Sequence, residues 1–162
     1  MFSNTDRPAC RVLWAELTER HRELFGDSTI GGADPGSHFD EYLKTVGLRG
    51  PWVADVAGAV VGLTGLIVRG EDAEIEPLIV ASAHRGRGIG TRLLEHAVEE
   101  AQQTGVRFLS VRPVARNAAA IEFFASAGFN TVGQVELFQD LSDESGREWK
   151  PGVQIQGREF KC

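Results

Sequence analysis

Two long stretches of the chain carry apolar residues at every third or fourth position, the spacing of a helix with one buried face. The first covers residues 9–25. The second begins after a glycine-rich turn, and its apolar positions are Ile89, Leu93, Leu94, Ala97, Val98 and Ala101. Gly105 supplies the stop signal of this second helix. Two shorter helices are predicted, one over residues 38–46 and one between Asn117 and Gly128.

The pattern changes to a strand type between the helix predicted over residues 38–46 and the long helix that begins at Ile89. Segments 52–56 and 59–70 flank Ala57-Gly58 and predict an antiparallel hairpin. Segment 73–82 predicts a strand whose alternation places four residues on one face, namely Glu74, Glu76, Leu78 and Val80. Pro77 has no N–H to donate to a ladder, so we expect the pairing of this strand to be broken near it.

Three further strands are predicted later in the chain, at 106–114, 129–141 and 153–160. Stretch 26–37 is dense in Gly, Asp, Ser and Pro, and it is interpreted either as a mobile lid over a binding site or as a surface connection. The order of helices and strands predicts a mixed α/β sandwich around one sheet, in a single domain that spans residues 1–162.

Composition and charge narrow the class of protein. The chain is 42% hydrophobic and 25% charged, as soluble globular proteins are, and its net charge of -6 argues against non-specific nucleic-acid binding and mildly favours a cationic small partner. No apolar run is long enough to span a bilayer, and the N-terminus lacks a signal-peptide core, so we expect a cytoplasmic location. Cys10 and Cys162 lie outside any Cys/His cluster, which argues against a disulfide framework and a metal site.

The turn before the second long helix has the chemistry of an anion site. Its residues are Arg85, Gly86, Arg87, Gly88, Ile89, Gly90 and Thr91. Glycines let the backbone turn sharply, and the first amides of a helix carry unpaired N–H groups and partial positive charge. The turn therefore suits a pyrophosphate, with Arg85, Arg87 and Arg92 adding full charges. The alternative interpretation is an ordinary tight connection with solvated arginines.

Three features follow one another between Ala73 and Phe129: a strand that ends in IVAS, the Arg-x-x-Gly-x-Gly turn, and an Asn-x-x-Ala-x-x-Phe-Phe-x-x-x-Gly-Phe pattern. The residues of the last pattern are Asn117, Ala120, Phe123, Phe124, Gly128 and Phe129. In this combination the sequence resembles the GNAT superfamily of acyl-CoA-dependent N-acyltransferases. The resemblance implies an α/β (α+β) fold with a mixed, mostly antiparallel central sheet and helices on both faces.

The resemblance also implies a reaction and a set of cofactor contacts. The reaction is transfer of an acetyl group from acetyl-CoA to a primary amine, by direct attack in a ternary complex. Ile79 and Val80, at the end of the strand, would bind the pantetheine and the acetyl carbonyl, and the amides of 85–91 would hold the CoA pyrophosphate. Asn117 and Phe124 would contact the cofactor, in a slot formed where two neighbouring strands splay apart.

Two positions depart from the family pattern. Residues 1–8 carry little β pattern where the family has its first strand, so this strand is short, missing or replaced. Phe124 stands where the family often has a tyrosine whose hydroxyl protonates the departing thiolate. Either another group or water protonates the thiolate, the thiolate leaves unprotonated, or the activity is lost, which would make the chain a catalytically silent acyl-CoA-binding or regulatory module. Ser126 and Tyr42 carry hydroxyl groups that could in principle replace the tyrosine hydroxyl missing at Phe124.

Glu76 and Glu74 are the candidates for the catalytic base. An amine with a pKa of about 10 is almost fully protonated at neutral pH, so a proton must be removed before attack. Glu76 ranks first because it lies nearer the expected acetyl site, and an amide of Ile79 or Val80 could hold the developing oxyanion. Both glutamates could also be solvated strand residues, and Glu76 could hold a cationic amine without taking its proton.

The sequence leaves the acceptor open between a small molecule and a protein terminus or side chain. Glu136 and Phe138 would suit a wall of the acceptor pocket, and nearby carboxylates would suit a cationic acceptor. Segment 153–160 has the pairing potential of an exposed edge strand, so it is a candidate for joining two copies into a homodimer.

Overall fold

The computed structural model describes residues 1–46, 50–139, 141 and 149–162. The chain divides into two compact units. The first unit contains Met1–Glu19 and Gly31–Val111, and the second contains Arg20–Ile30 and Arg112–Cys162. The single-domain organisation expected for residues 1–162 stays a prediction.

Helices form where the apolar spacing predicts them. They are α1 (Arg7–Phe25), α2 (Ser37–Val46), α3 (Ile89–Thr104) and α4 (Ala118–Ser126). Gly105 ends α3 in the left-handed conformation at φ 74°, as its stop signal predicts. The chain before α1 forms a 3-10 turn rather than a strand, and the Ser3 amide donates to the Asp6 carboxylate at 2.8 Å. The usual first strand of the family is therefore missing from this part of the chain.

The first unit contains a four-stranded sheet in the order β1-β2-β3-β4. Its strands are β1 (Pro51–Val56), β2 (Ala59–Arg69), β3 (Asp72–Val80) and β4 (Phe108–Ser110). The first three are antiparallel neighbours, and β4 runs parallel to β3. The predicted hairpin is confirmed: Ala57 and Gly58 both have positive φ, and the Asp55 carboxylate accepts the Gly58 amide at 2.9 Å.

Helices cover both faces of this sheet, as the resemblance implies. Successive residues of a strand point to opposite faces. A Cβ at Gly62 would contact Leu93 of α3, whereas Leu63 packs in the cluster formed with α1 and α2. That larger cluster contains Phe2, Cys10, Leu13, Phe39, Tyr42, Leu63, Ile67 and Ile79. A smaller cluster on the α3 side contains Val61, Ile89 and Leu93.

The second unit is built around α4 and a two-stranded hairpin of β5 (Pro151–Ile155) and β6 (Arg158–Lys161). Arg116 connects its segments, because the guanidinium donates to the carbonyl of Leu24 at 2.8 Å and to that of Cys162. The guanidinium also lies over the Phe25 ring, 5.5 Å from its centroid. These contacts tie the end of α1 and the C-terminus of the chain to the segment before α4.

Three strand predictions need correction. The strand predicted at 106–114 is limited to Phe108–Ser110, and segment 129–141 contains no strand in its described residues, which are 129–139 and 141. A β-type pattern becomes a strand only where a partner supplies ladder hydrogen bonds. The single strand predicted at 153–160 is instead the β5–β6 hairpin, because Gln156 and Gly157 both adopt positive φ and reverse the chain.

Candidate active site

The turn between β3 and α3 has the backbone conformation that its glycines predict. After β3, Ser82–His84 form a 3-10 turn, and Gly86 and Gly88 follow with φ of 72° and 74°. Gly88 immediately precedes α3, and its carbonyl accepts the Arg92 amide at 3.1 Å. The amides of residues 89–91 thus come before the first intrahelical hydrogen bond of α3, and the helix dipole adds partial positive charge there.

The backbone of this turn is accessible to a ligand. No heavy atom outside the adjacent residues lies within 4 Å of the point where a Cβ of Gly86 or Gly88 would stand. The side chains of Arg87 and Arg92 are exposed next to it. Open backbone amides beside two exposed guanidinium groups are what a pyrophosphate requires.

Arg85 differs from the other two arginines because protein atoms already engage its guanidinium. Its Nε donates to the Val80 carbonyl at 2.9 Å, and its Nη2 lies 3.3 Å from Oε1 of Glu16. The same Glu16 oxygen accepts the Ser82 amide at 2.7 Å. The sequence offers no signal for this contact, because Glu16 lies on α1, far along the chain.

A bulge interrupts β3 beside Pro77, and the broken pairing predicted there is confirmed. Thr64 of β2 pairs with Leu78 and Leu66 pairs with Ile75, so Gly65 alone faces the two residues Glu76 and Pro77. The extra residue shifts the alternation. Ile75 and Leu78 therefore share a face, and so do Glu74 and Ile79, which corrects the single face predicted for Glu74, Glu76, Leu78 and Val80.

The two candidate bases have different environments. Glu74 is buried, with 5% of its surface exposed, and its Oε2 lies 3.1 Å from Nη1 of Arg69. Glu76 is exposed at the bulge. The exposed carboxylate of Glu76 is accessible to a ligand, and the Glu74 carboxylate is held in an ion pair. The ranking of Glu76 above Glu74 as the base stays a prediction.

The end of β3 has an open edge. β4 pairs with β3 only from Asp72 to Glu74, and no other strand of the described chain pairs with that edge beyond Glu74. Neighbouring residues of a strand direct their N–H groups to opposite edges, so either Ile79 or Val80 directs its amide to the open edge. The glycine turn follows this end of β3 in the chain, after the 3-10 turn Ser82–His84.

Tyr42 of α2 is buried against the bulge. Its hydroxyl oxygen occupies the space that a Gly65 side chain would need, since a Cβ there would overlap it and would also lie 2.8 Å from the Glu76 carbonyl. The hydroxyl has no hydrogen-bond partner within the described residues. Burial, and next the negative charge of Glu76, raise the pKa of Tyr42, so the phenol stays protonated at neutral pH.

The second unit contains the other residues singled out in the sequence. The Asn117 side chain caps α4 by accepting the Ala120 amide at 3.3 Å. Phe124 packs edge-to-face between two other rings, 5.2 Å from the Phe123 centroid and 5.9 Å from that of Phe129. The hydroxyl of Ser126 donates to the Phe123 carbonyl at 2.8 Å, so it is already engaged.

Glu136 and Phe138, the two residues predicted for a wall of the acceptor pocket, are both exposed. Phe138 stacks on Trp149 with 6.4 Å between ring centroids. None of the helices described is long and apolar enough to cross a membrane. The described side chains form no group of three or more His, Cys, Asp or Glu residues that could hold a metal ion.

Sequence comparison identifies related proteins. The sequence profile of the acetyltransferase (GNAT) family matches residues 12–129 of the chain. The ribosomal protein bS18-alanine N-acetyltransferase of Salmonella typhimurium is 29% identical over 130 residues, which are 80% of this chain and 78% of that protein. An uncharacterized N-acetyltransferase of Methanocaldococcus jannaschii is 37% identical over 87 residues, 49% of this chain. The match spans only 38% of the length of that second relative.

Solved structures show the same fold. The ribosomal-protein-alanine N-acetyltransferase of Brucella melitensis matches with a TM-score of 0.63 at 27% identity, over 78% of this chain and 80% of that one. The aminoglycoside N-acetyltransferase AAC(6')-Iy, whose structure is a complex with CoA, matches with a TM-score of 0.62 at 14% identity, over 87% of this chain and 92% of that one. This second likeness is one of fold alone.

Proposed function

The chain belongs to the GNAT family of acetyltransferases, and from this premise we propose that it transfers the acetyl group of acetyl-CoA to a primary amine within a ternary complex. One observation carries the proposal: β3 ends with an unpaired edge beyond Glu74, and it is followed in the chain by an accessible glycine turn at the start of α3. This arrangement offers an amide for a thioester carbonyl at one end and several amides for a pyrophosphate at the other.

The proposed cofactor contacts follow from this arrangement. The amides of Gly86–Thr91 and the exposed side chains of Arg87 and Arg92 would hold the pyrophosphate, and Arg85 would act through the turn that it braces. Ile79 or Val80 would hold the acetyl oxygen. Asn117 and Phe124 are further proposed contacts that rest on the family resemblance.

Glu76 is the proposed base. The carboxylate of Glu76 would take one proton from the ammonium form of the acceptor, and the neutral amine would then attack the thioester carbonyl that bound acetyl-CoA supplies. The carbon–sulfur bond of the thioester would break, and the second amine proton would pass to water or to the departing thiolate. Phe124 has no proton to give to the thiolate. A CoA thiol is far more acidic than a phenol whose pKa is raised, so Tyr42 is not proposed as the acid that protonates the thiolate.

The named relatives suggest which acceptors to test first. Two of them are called ribosomal protein alanine N-acetyltransferases, and we propose the α-amino group of a protein that begins with alanine as the first candidate acceptor. An α-amino group has a pKa of about 8, against about 10.4 for a lysine side chain. A larger fraction of the α-amino group is therefore neutral at pH 7, so Glu76 has to remove a proton from a smaller fraction of the acceptor molecules.

Binding and turnover test the proposed function together. We expect isothermal titration to show that the chain binds acetyl-CoA, and a thiol-release assay to show turnover with an alanine-initiated peptide in a panel that also contains lysine peptides and polyamines. Release with another amine and not with the peptide would change the acceptor but keep the reaction. Failure to bind acetyl-CoA would overturn the proposal.

A second candidate function is a silent acyl-CoA-binding or regulatory module. The observation that favours it is Phe124, which has no hydroxyl and packs between Phe123 and Phe129. The same experiment distinguishes the two functions. Binding of acetyl-CoA without thiol release for any amine in the panel would support the module and contradict the enzyme.

A further inference from the structure

We infer that Glu16 of α1 is a positioning residue of the acyl-CoA site, which holds the segment between the end of β3 and the glycine turn. The inference rests on the proposed function, because it assigns Glu16 to the same site. Glu16 would not touch the cofactor. It would act through Ser82 and Arg85, the two residues that its carboxylate contacts.

One carboxylate oxygen contacts both ends of a short segment. Oε1 of Glu16 accepts the Ser82 amide at 2.7 Å and lies 3.3 Å from Nη2 of Arg85. Ser82 begins the 3-10 turn, and Arg85 follows its last residue. A hydrogen bond from a backbone amide to a carboxylate is charge-assisted and about twice as strong as a neutral one. The contact of Glu16 to Arg85 is charge-assisted as well, but the contact to Ser82 is the shorter of the two, at 2.7 Å against 3.3 Å, and is therefore the stronger restraint.

Arg85 extends the restraint to β3. Its Nε donates to the Val80 carbonyl at 2.9 Å, so a single side chain connects the strand end with α1. Val80 is next to the proposed acetyl site, and Gly86 begins the proposed pyrophosphate site. The Glu16 contacts thus hold together the two parts that a single acyl-CoA molecule must reach at once, and preorganised sites bind more tightly because less ordering remains to be done.

Two substitutions separate the negative charge of Glu16 from its role as a hydrogen-bond acceptor. A carboxylate beside an anion site opposes phosphate binding, and Arg85 offsets this charge. In Glu16→Gln the side-chain oxygen can still accept the Ser82 amide, but the negative charge is gone. In Glu16→Ala both are lost. A positioning role therefore predicts that only the alanine variant binds acetyl-CoA poorly.

The hydrogen bond can also be removed from the side of Ser82. Proline is tolerated at the first position of a helical turn, where its missing N–H is not needed within the turn. Ala81 has φ of -49° and ψ of 135°, the extended conformation that a following proline requires. Ser82→Pro therefore removes the N–H group that donates a hydrogen bond to Glu16, and the 3-10 turn can still form.

The test is titration of acetyl-CoA into the full chain and into four variants: Glu16→Gln, Glu16→Ala, Ser82→Pro and the Glu16→Ala/Ser82→Pro double variant. We expect Glu16→Ala and Ser82→Pro each to raise the Kd about fivefold to tenfold. The Kd of the double variant should be no higher than the Kd of whichever single variant binds acetyl-CoA more weakly. The Kd of Glu16→Gln should stay within about twofold of that of the parent chain. At saturating acetyl-CoA, kcat should change less than about twofold in all of them.

Glu23→Ala is the matched control, because Glu23 is also on α1 and pairs with Arg20 at 2.8 Å. It should leave the Kd unchanged. Equal losses in Glu16→Gln and Glu16→Ala, no loss in Glu16→Ala, or additive losses in the double variant would overturn the inference. If Glu16→Ala does not fold, Ser82→Pro and Glu16→Gln decide it. A parent chain that does not bind acetyl-CoA would instead overturn the proposed function, and this inference with it.

Discussion

Glu74 and Glu76 are two positions apart in one strand and have different surroundings. Glu74 is buried and paired with Arg69, and a buried carboxylate needs such a partner. Glu76 is exposed and lies at the bulge of β3. At the scale of single residues, exposure rather than residue type distinguishes the proposed base from its neighbour.

Glu76→Gln should lower turnover at pH 7 by about 100-fold, because the amide cannot take the amine proton. The effect should shrink as the pH approaches the pKa of the acceptor, since the amine then arrives already neutral. A pH profile of kcat with saturating acetyl-CoA measures this. A higher KM for the amine with kcat unchanged would show instead that Glu76 only binds a cationic acceptor, and Glu74→Gln provides the comparison.

At the scale of elements, α2 packs against the β2–β3 bulge through a close fit between Tyr42 and Gly65. The Tyr42 hydroxyl lies where any side chain at position 65 would stand, and the ring belongs to the cluster that joins α1, α2 and the sheet. Glycine is needed here for the close approach of a helix side chain to the strand, and not for its backbone angles.

Gly65→Ala should lower the free energy of unfolding by about 2 kcal/mol, because the new Cβ forces Tyr42 and the Glu76 carbonyl to move. Tyr42→Phe removes the hydroxyl that the Cβ would overlap, so it should recover part of this loss in the double variant. Urea unfolding of the two single variants and the double variant measures the coupling between the two positions. Strictly additive effects would contradict this packing of Tyr42 against Gly65.

At the scale of the whole molecule, the buried thiol of Cys10 links the stability of the first unit to pH. The side chain is fully buried in the larger core cluster. Burial, and next the charge of Asp6, raise the pKa of Cys10 from 9.0 to about 12. The thiol should therefore be unreactive in the folded chain, in contrast to Cys162, which is half-buried.

Stability should fall as the pH rises from about 9 towards 12. In that range the unfolded chain releases the Cys10 proton while the folded chain keeps it, so the unfolded state is favoured by up to about 1.4 kcal/mol for each pH unit. Cys10→Ala should flatten this slope relative to a Cys162→Ala control in urea unfolding at several pH values. A slope that is the same in both variants would contradict the assignment to Cys10.

Parts of the fold and site follow from short segments of sequence. The helix α3 and the hairpin at Ala57-Gly58 were predicted and are present. The sharp turn predicted at the glycines before α3 is also present, with positive φ at Gly86 and Gly88. Each depends on residues that are close in the chain, because helix periodicity, glycine conformation and tight turns are local properties. Pro77 likewise predicted the interruption of β3, since it lacks the N–H of a ladder.

Other features depend on residues that are far apart in the chain. A strand needs a partner, so segment 129–141 forms none in its described residues despite its pattern, and β4 keeps only three residues of the nine predicted. The bulge opposite Gly65 changes which side chains share a face with Glu74. Glu16 reaches Ser82 only because α1 packs near the end of β3.

The sequence by itself determined the family, the glycine turn and the pair of candidate bases, because these depend on residue types at fixed spacing. Only the tertiary structure decided that Glu74 is buried and Glu76 exposed, that Tyr42 lies over Gly65, and that Glu16 braces the turn. Burial and long-range contacts arise when distant segments pack together, and no local pattern encodes the partner that each segment will find.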